Sequence, residues 1–342
     1  MHARKIAWLA PAALSPLAAL PPLAALALLA CQTAATMPAA APRPRSHDAA
    51  DATVASADGV PIRYHVEGSG EPALVFIHGW SCDRSHWAEQ VARFSADREV
   101  IALDLAGHGD SGRDRKDWTI ESLGGDVRAV VAALDLRRVV LIGHSMGGPV
   151  ALAAASGMQE RVVGVIGIDT FHDVERRIDP AMVQSLVGRW EKDFGGTAQQ
   201  MVDAMLPSGC DPALRERLQA QFAAAPPDIA LALLRAQFEL DLAAAFEHTR
   251  APIRAINTTQ PTNVAAGRRH AAGFDAVDLT ALQLGHFPML TAPDLFDQKL
   301  AETLASLGVA AAAAKTGAQT WPALPPAIRL MKSSRVRPGI SG

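Results

Sequence analysis

A serine between two glycines is the strongest chemical signal in the sequence. Residues 143–147 read GHSMG, directly after the apolar run of residues 139–142 and directly before a helical run, so Ser145 is predicted at a strand-to-helix turn. A nucleophile at such a turn needs small neighbours, because its backbone is strained, and the flanking glycines supply them. The alternative is a glycine-rich turn that carries an ordinary serine, but the flanking strand and helix favour a nucleophilic Ser145.

A serine nucleophile requires a base to accept its proton and a third group that orients the base. The base is expected after the serine in the chain, so only some of the eleven histidines remain as candidates. These are His172, His248, His270 and His286. We predict His286, because only this residue lies in a loop just after the last predicted strand.

Other histidines near these motifs are predicted to be structural. His144 should point away from the hydroxyl of its neighbour, and His78 and His108 precede the nucleophile and fit loop packing. His270 follows the arginines of residues 268–269 on a charged helix face, which favours a solvated side chain.

A tetrahedral intermediate on the serine would carry negative charge on an oxygen, which backbone N–H groups must stabilise. One donor is expected from the residue after the nucleophile, Met146, and the other from the loop after the first long buried strand. That loop reads HGW at residues 78–80, and its glycine allows the backbone to turn. We therefore predict an oxyanion hole formed by the N–H groups of Trp80 and Met146.

The elements that must position these residues alternate between short apolar runs and helical stretches. Such runs are typical of parallel strands buried on both faces, and the helices have the crossover length that parallel neighbours need. The fold class is therefore α/β, with a mostly parallel central sheet flanked by helices. Central strands are predicted at residues 73–77, 100–103, 139–142 and 162–168, helices at 85–94, 120–134 and 146–155, and later strands at 253–257 and 276–279.

This alternation is interrupted at residues 53–67 and 171–249. In the first segment Asp58-Gly59 separates two strand-like runs, which indicates an antiparallel hairpin. The second has helical patterns without strand signals, and we interpret it as a helical lid inserted after the strand that ends at Ile168. A lid there would cover the carboxyl ends of the strands, where open α/β sheets bind ligands.

Both ends of the chain differ from this core. Residues 1–31 combine a basic start with an apolar stretch interrupted by prolines, the profile of an export signal rather than of a membrane span. The stretch ends in LLAC, which resembles the lipobox of bacterial lipoproteins and implies lipidation of Cys31. Leu29 departs from the small residue usual at its position. The alternatives are a plain signal peptide and a start of the protein at Met37. Residues 32–52 are expected to form a flexible linker, and residues 309–342 a disordered tail, on either side of a domain at 53–308.

Composition excludes several functional classes. A net charge of −3 and the absence of a long basic run give no basis for nucleic-acid binding. The three cysteines, Cys31, Cys82 and Cys210, are too few and too scattered for a zinc site of paired spacing. We expect no cofactor and no metal.

A disulfide between Cys82 and Cys210 is a weaker hypothesis, because spacing alone does not show that the two residues approach each other.

Together these segments resemble the α/β-hydrolase superfamily. The resemblance rests on four motifs at strand ends and covers residues 54–307. It implies the α/β-hydrolase fold, and the serine at position 145 excludes members that use an aspartate nucleophile. Asp104 matches a position common in the family but precedes the nucleophile, so it is predicted to hold its loop. The motifs are HGW at residues 78–80, DLAGHGDSG at 104–112, GHSMGG at 143–148 and GHFPML at 285–290.

The acid of the resembled triad is missing from its usual place. Most relatives carry it just after the strand that is here residues 253–257, where this chain continues TTQPTN. Some place it one strand earlier, and we predict Asp169 on that basis. The remaining alternatives are Asp173, Asp275 and Asp278 as the acid, or Thr259 or Asn257 as a substitute that orients the imidazole.

The resulting hypothesis is an exported, lipid-anchored serine hydrolase of the bacterial cell envelope that cleaves a small or medium-sized apolar ester or lactone through an acyl-enzyme. A carbon–carbon or amide hydrolase with the same triad is one alternative. The other is a tethered binding protein of the same fold with degraded catalysis, because fold does not guarantee function.

Overall fold

The computed structural model describes residues 47–309, in which the strands form a single mixed sheet. The strands are β1 (His47–Ala55), β2 (Pro61–Gly68), β3 (Ala73–Ile77), β4 (Val100–Leu103), β5 (Val139–His144), β6 (Val162–Ile168), β7 (Ile253–Asn257) and β8 (Asp275–Asp278). Their order in the sheet is β1-β2-β4-β3-β5-β6-β7-β8. The β1–β2 and β2–β4 pairs are antiparallel, and the others are parallel. The predicted α/β architecture is confirmed.

Helices cover both faces of this sheet, which explains why β3, β4 and β5 are buried along their whole length. Sequence signals set their ends: Thr119 and Ser122, for example, form a reciprocal capping box at the start of the second helix. The helices are α1 (Ala88–Phe94), α2 (Ile120–Ala133), α3 (Gly147–Ser156), α4 (Pro180–Lys192), α5 (Phe194–Met205), α6 (Pro212–Ala223), α7 (Pro227–Glu239), α8 (Leu242–Glu247), α9 (Val264–His270), α10 (Pro288–Thr291) and α11 (Pro293–Ser306).

The hairpin predicted around Asp58-Gly59 joins β1 to β2, and Gly59 has a φ of 88°. Two predicted boundaries are wrong. β1 begins at His47, inside the linker predicted at 32–52, because an exposed edge strand is held by backbone pairing and needs few apolar side chains. Val309, predicted to begin the disordered tail, is buried against the domain.

Five helices, α4 to α8, lie between β6 and β7, in the segment where the sequence predicts a helical lid; we call them the helical insertion. Trp190 and Phe222 of the insertion are buried in the same hydrophobic core as the strands of the sheet. Both rings pack edge-on against Trp80, which follows β3, and the Trp80 indole donates a hydrogen bond of 2.7 Å to the carbonyl of Ala230 in α7. The loop after β3 is therefore fixed to the insertion.

The predicted signal peptide, Cys31, residues 32–46 of the predicted linker and residues 310–342 lie outside the described residues. From residue 47 to residue 309, no helix is long and apolar enough to cross a membrane.

Candidate active site

Ser145 lies on a sharp turn between β5 and α3, with a φ of 51°. Its backbone N–H donates to the carbonyl of Ile168 at the end of β6, at 2.9 Å. Only glycine fits at the neighbouring positions without a steric clash. A Cβ on Gly143 would lie 2.1 Å from the Gly147 carbonyl oxygen, and a Cβ on Gly147 would lie 2.5 Å from the Ile77 carbonyl oxygen. The turn is thus locked, and it presents a serine in a conformation that non-glycine residues rarely adopt.

His286 lies in the loop between β8 and α10, and its ring is held by Asp169. Its Nδ1 is 2.5 Å from Asp169 Oδ2. A carboxylate only accepts hydrogen bonds, so the neutral ring carries its proton on Nδ1 and leaves Nε2 free to accept another. The loop is fixed by two backbone contacts: the His286 N–H donates to the Met205 carbonyl at 2.7 Å, and its carbonyl accepts from His144 Nε2 at 2.8 Å.

Asp169 directly follows β6 and is almost completely buried. Its Oδ1 accepts from the backbone N–H groups of Thr258 and Thr259, at 2.8 and 2.9 Å. The Thr259 hydroxyl donates to Oδ2 at 2.8 Å, the same oxygen that accepts from His286. Burial alone would raise the pKa of this carboxyl, but the hydrogen bonds from His286 and the two threonines outweigh it and lower the pKa below its usual range.

The other residues considered as the orienting group do not contact His286. Asp173, Asp275 and Asp278 have side-chain partners elsewhere. Asn257 also hydrogen-bonds elsewhere, so its substitute role is wrong. Thr259 contacts the carboxylate of Asp169 rather than the imidazole.

The two predicted oxyanion donors are buried and unpaired. Trp80 and Met146 are 4% and 1% exposed. Within residues 47–309, neither backbone N–H donates to a protein acceptor. Buried N–H groups without an acceptor are rare. Met146 lines the same pocket as Ser145, whereas Trp80 is not among the residues that line it.

Three buried histidines around the site contribute to packing. His78 donates from Nδ1 to the Gly79 carbonyl and accepts the Leu105 N–H at Nε2, and burial lowers its pKa to about 4. Burial also lowers the pKa of His108 to about 3 and that of His144 well below its usual range. Neutral rings of this kind support loops and do not carry charge near pH 7.

A pocket of about 760 Å³ opens onto the candidate residues. Ser145, Asp169 and His286 all line it, so the structure brings the three predicted residues together. Much of its remaining wall is apolar and comes from the loop after β6 and from the helical insertion: Phe171, Ile178, Met205, Phe238, Leu240 and Leu242. The wall also includes Arg176, which our sequence reasoning missed because nothing in the local pattern separates it from an ordinary surface arginine.

The thiols of Cys82 and Cys210 are free, so the disulfide hypothesis is wrong. Cys82 is buried and its Sγ donates to the Trp80 carbonyl at 3.3 Å. Burial raises the pKa of this thiol well above its usual range, which keeps it protonated.

The chain belongs to the alpha/beta hydrolase family, whose model matches residues 74–299. It is similar to the dihydrolipoyllysine-residue acetyltransferase component of the acetoin cleaving system of Pseudomonas putida, with 36% identity over 102 residues, 30% of this chain and 28% of that protein. It is also similar to a non-heme chloroperoxidase of Kitasatospora aureofaciens, with 33% identity over 151 residues, 43% of this chain and 50% of that protein. The matched segments thus span half or less of these relatives.

Solved structures share the fold over most of the chain. A thermophilic esterase from Thermogutta terrifontis superposes with a TM-score of 0.63 at 22% identity, covering 76% of this chain and 99% of that one. The enol-lactonase from Burkholderia xenovorans LB400 gives a TM-score of 0.64 at 23% identity, covering 74% and 100%. At such identities the similarity establishes the fold alone.

Proposed function

We propose that this protein hydrolyses a carboxylic ester or lactone through an acyl-enzyme on Ser145. The observation that carries the proposal is the His286–Asp169 hydrogen bond of 2.5 Å, which orients an imidazole in the pocket that Ser145 also lines. The orphan N–H groups of Trp80 and Met146 support it, because an acyl transfer needs donors for a developing oxyanion.

In the first half of the reaction, Nε2 of His286 takes the proton from the Ser145 hydroxyl as Oγ attacks the substrate carbonyl. The carbonyl oxygen becomes an oxyanion, stabilised by the N–H groups of Trp80 and Met146. Asp169 stays ionised and stabilises the imidazolium. The imidazolium then protonates the leaving alkoxide, the C–O bond breaks, and the acyl group remains on Ser145.

In the second half, water replaces the alcohol. His286 removes a proton from the water as its oxygen attacks the acyl-enzyme, and a second oxyanion forms at the same donors. The imidazolium returns the proton to the Ser145 oxygen, which releases the carboxylic acid and restores the enzyme.

The first test is the hydrolysis of p-nitrophenyl esters from acetate to octanoate by the full chain. Ser145→Ala should abolish turnover, and Asp169→Asn should lower kcat by about 10³–10⁴-fold, because it removes the carboxylate that holds the imidazole. Ser156→Ala and Asp275→Asn, on exposed residues outside the pocket, are the matched controls and should keep wild-type rates. Turnover that does not depend on Ser145, or no turnover of any ester, would contradict the proposal and favour a binding protein of this fold.

A further inference from the structure

One wall of the pocket carries an unpaired positive charge. Arg176 lies in the loop between β6 and α4 and lines the same cavity as Ser145 and His286. Its guanidinium makes no hydrogen bond or ion pair with any side chain or carbonyl between residues 47 and 309. A guanidinium stays charged at every physiological pH and offers five donors in a planar fork.

Nearby arginines outside the pocket are used differently. Arg177, the next residue, pairs with Asp241 at 2.8 Å. Arg269 makes two contacts with Glu175, at 2.8 and 2.5 Å. Arg176, which is exposed and lines the cavity, differs from these two neighbours in having no acidic partner among the described residues.

The pocket's own carboxylates are already occupied. Asp169 accepts from His286 and from the threonines of residues 258–259. Asp173 accepts from the amide of Asn263 at 3.0 Å and from a backbone N–H at 3.1 Å. Neither pairs with Arg176, so its charge is available to a ligand.

Polar donors and apolar side chains share the rest of the wall. The amides of Gln237 and Gln260 line the cavity and make no side-chain hydrogen bond with any described residue. The apolar side chains of Phe171, Phe238 and Leu242 also contact the cavity. A ligand that complements these side chains has a hydrocarbon part for the apolar residues and an anionic group with several acceptor oxygens for the guanidinium and the amides.

We propose that the substrate is an ester or lactone that also bears a free carboxylate, and that Arg176 binds this carboxylate. The inference rests on the proposed hydrolase function and narrows its substrate class. Arg176 acts on substrate binding rather than on the reacting atoms, so its contribution is in KM more than in kcat.

A matched pair of esters tests this directly. Monomethyl suberate and dimethyl suberate differ only in whether the far end is a carboxylate or a neutral ester, and a pH-stat at pH 8 follows the hydrolysis of both. In the wild type, kcat/KM should be higher for the monoester. Arg176→Gln should reduce the monoester-to-diester ratio by roughly five- to tenfold, mainly through KM, because it removes a charge-assisted contact. Arg177→Gln, which neutralises the adjacent arginine outside the pocket, should leave the ratio within about twofold.

A binding measurement separates this inference from the proposed function. In the Ser145→Ala background, calorimetric titration with monomethyl suberate should show weaker binding after Arg176→Gln, and the loss should shrink at high salt. Ser145-dependent cleavage of the diester with an unchanged ratio in Arg176→Gln, or equal binding by the two variants, would overturn the carboxylate site and leave the hydrolase proposal intact. Binding that depends on Arg176 without cleavage of either ester would overturn the hydrolase proposal instead.

Discussion

At the scale of single residues, Asp169 is the most constrained group in the site. Its burial and its hydrogen bonds act on its pKa in opposite directions, and the hydrogen bonds dominate. Because the pKa of the folded state lies below that of the unfolded chain, ionised Asp169 stabilises the fold above the unfolded pKa, and this contribution is lost as the pH falls through the folded value. The same hydrogen bonds therefore hold the imidazole partner and contribute to stability at neutral pH.

Thr258 and Thr259 allow a comparison of two hydroxyls that contact one carboxylate. The buried Thr258 hydroxyl has one proton for two acceptors, the Gly285 carbonyl at 2.6 Å and Asp169 Oδ1 at 3.1 Å. Thr258→Val should lower the free energy of unfolding by about 1–3 kcal/mol at pH 7, because it removes the hydroxyl donor of the Gly285 carbonyl and one of the three donors to Asp169 Oδ1. Thr259→Val, at an exposed position, should cost less than about 1 kcal/mol.

Urea denaturation at pH 7 measures both values. Equal costs for the two variants would show that the buried hydroxyl does not stabilise the carboxylate and the His286 loop more than the exposed one.

At the scale of elements, the sequence patterns succeed where both faces of a strand are buried and fail where pairing alone holds the chain. Continuous apolar runs identify β3 to β6 within one or two residues, whereas β1 starts in a stretch of alanines and aspartates that resembles a linker.

The position of Asp169 next to the His286 loop follows from the order of the strands. Since β6 lies between β5 and β7, an acid after β6 reaches the His286 loop, and the threonines after β7 donate to it. The sequence shows that an aspartate follows β6, but it does not show which loop the carboxylate contacts.

Helices α1 and α11 meet through a buried polar pair whose ionisation is unfavourable. Gln90 of α1 donates to Asp297 of α11 at 2.9 Å, and the Gln90 Oε1 atom has no partner among the described residues. Burial raises the pKa of Asp297 to about 6. A carboxyl with a raised pKa in the folded state binds more protons than the unfolded chain between about pH 4 and pH 6, so stability falls as the pH rises through that window.

Asp297→Asn should therefore increase the free energy of unfolding by about 1–3 kcal/mol at pH 8 and have almost no effect at pH 4. The asparagine keeps an acceptor for Gln90 and adds a donor. Thermal and urea unfolding from pH 4 to pH 8 measure the difference, with Glu302→Gln, on an exposed residue of the same helix that does not act on the pKa of Asp297, as the control that should show no gain at pH 8. A gain independent of pH would mean that ionisation of Asp297 is not its source.

At the scale of the whole molecule, the sheet determines where the reacting groups meet. Ser145, Asp169 and the His286 loop follow β5, β6 and β8, three strands that run parallel, so their carboxyl ends lie at one edge. The insertion between β6 and β7 adds apolar residues to the pocket at that edge. Under the proposed function, the sheet positions the reacting groups, whereas the insertion and the loop that carries Arg176 would select the substrate.

A separate hypothesis concerns the LLAC sequence that ends at Cys31 and the location of the molecule. We propose that the Cys31 thiol receives a diacylglyceryl group, whose acyl chains would hold the domain at a membrane, since each buried methylene contributes about 0.8 kcal/mol.

When the full chain is expressed in a bacterium, the wild type should partition into the detergent phase of a Triton X-114 extraction and show an acylated N-terminal peptide by mass spectrometry. Cys31→Ser should lose both properties, whereas Cys210→Ser, which alters a thiol of the folded domain, should retain them. An unmodified Cys31 peptide in the wild type, together with membrane association that survives Cys31→Ser, would assign retention at the membrane to another part of the chain.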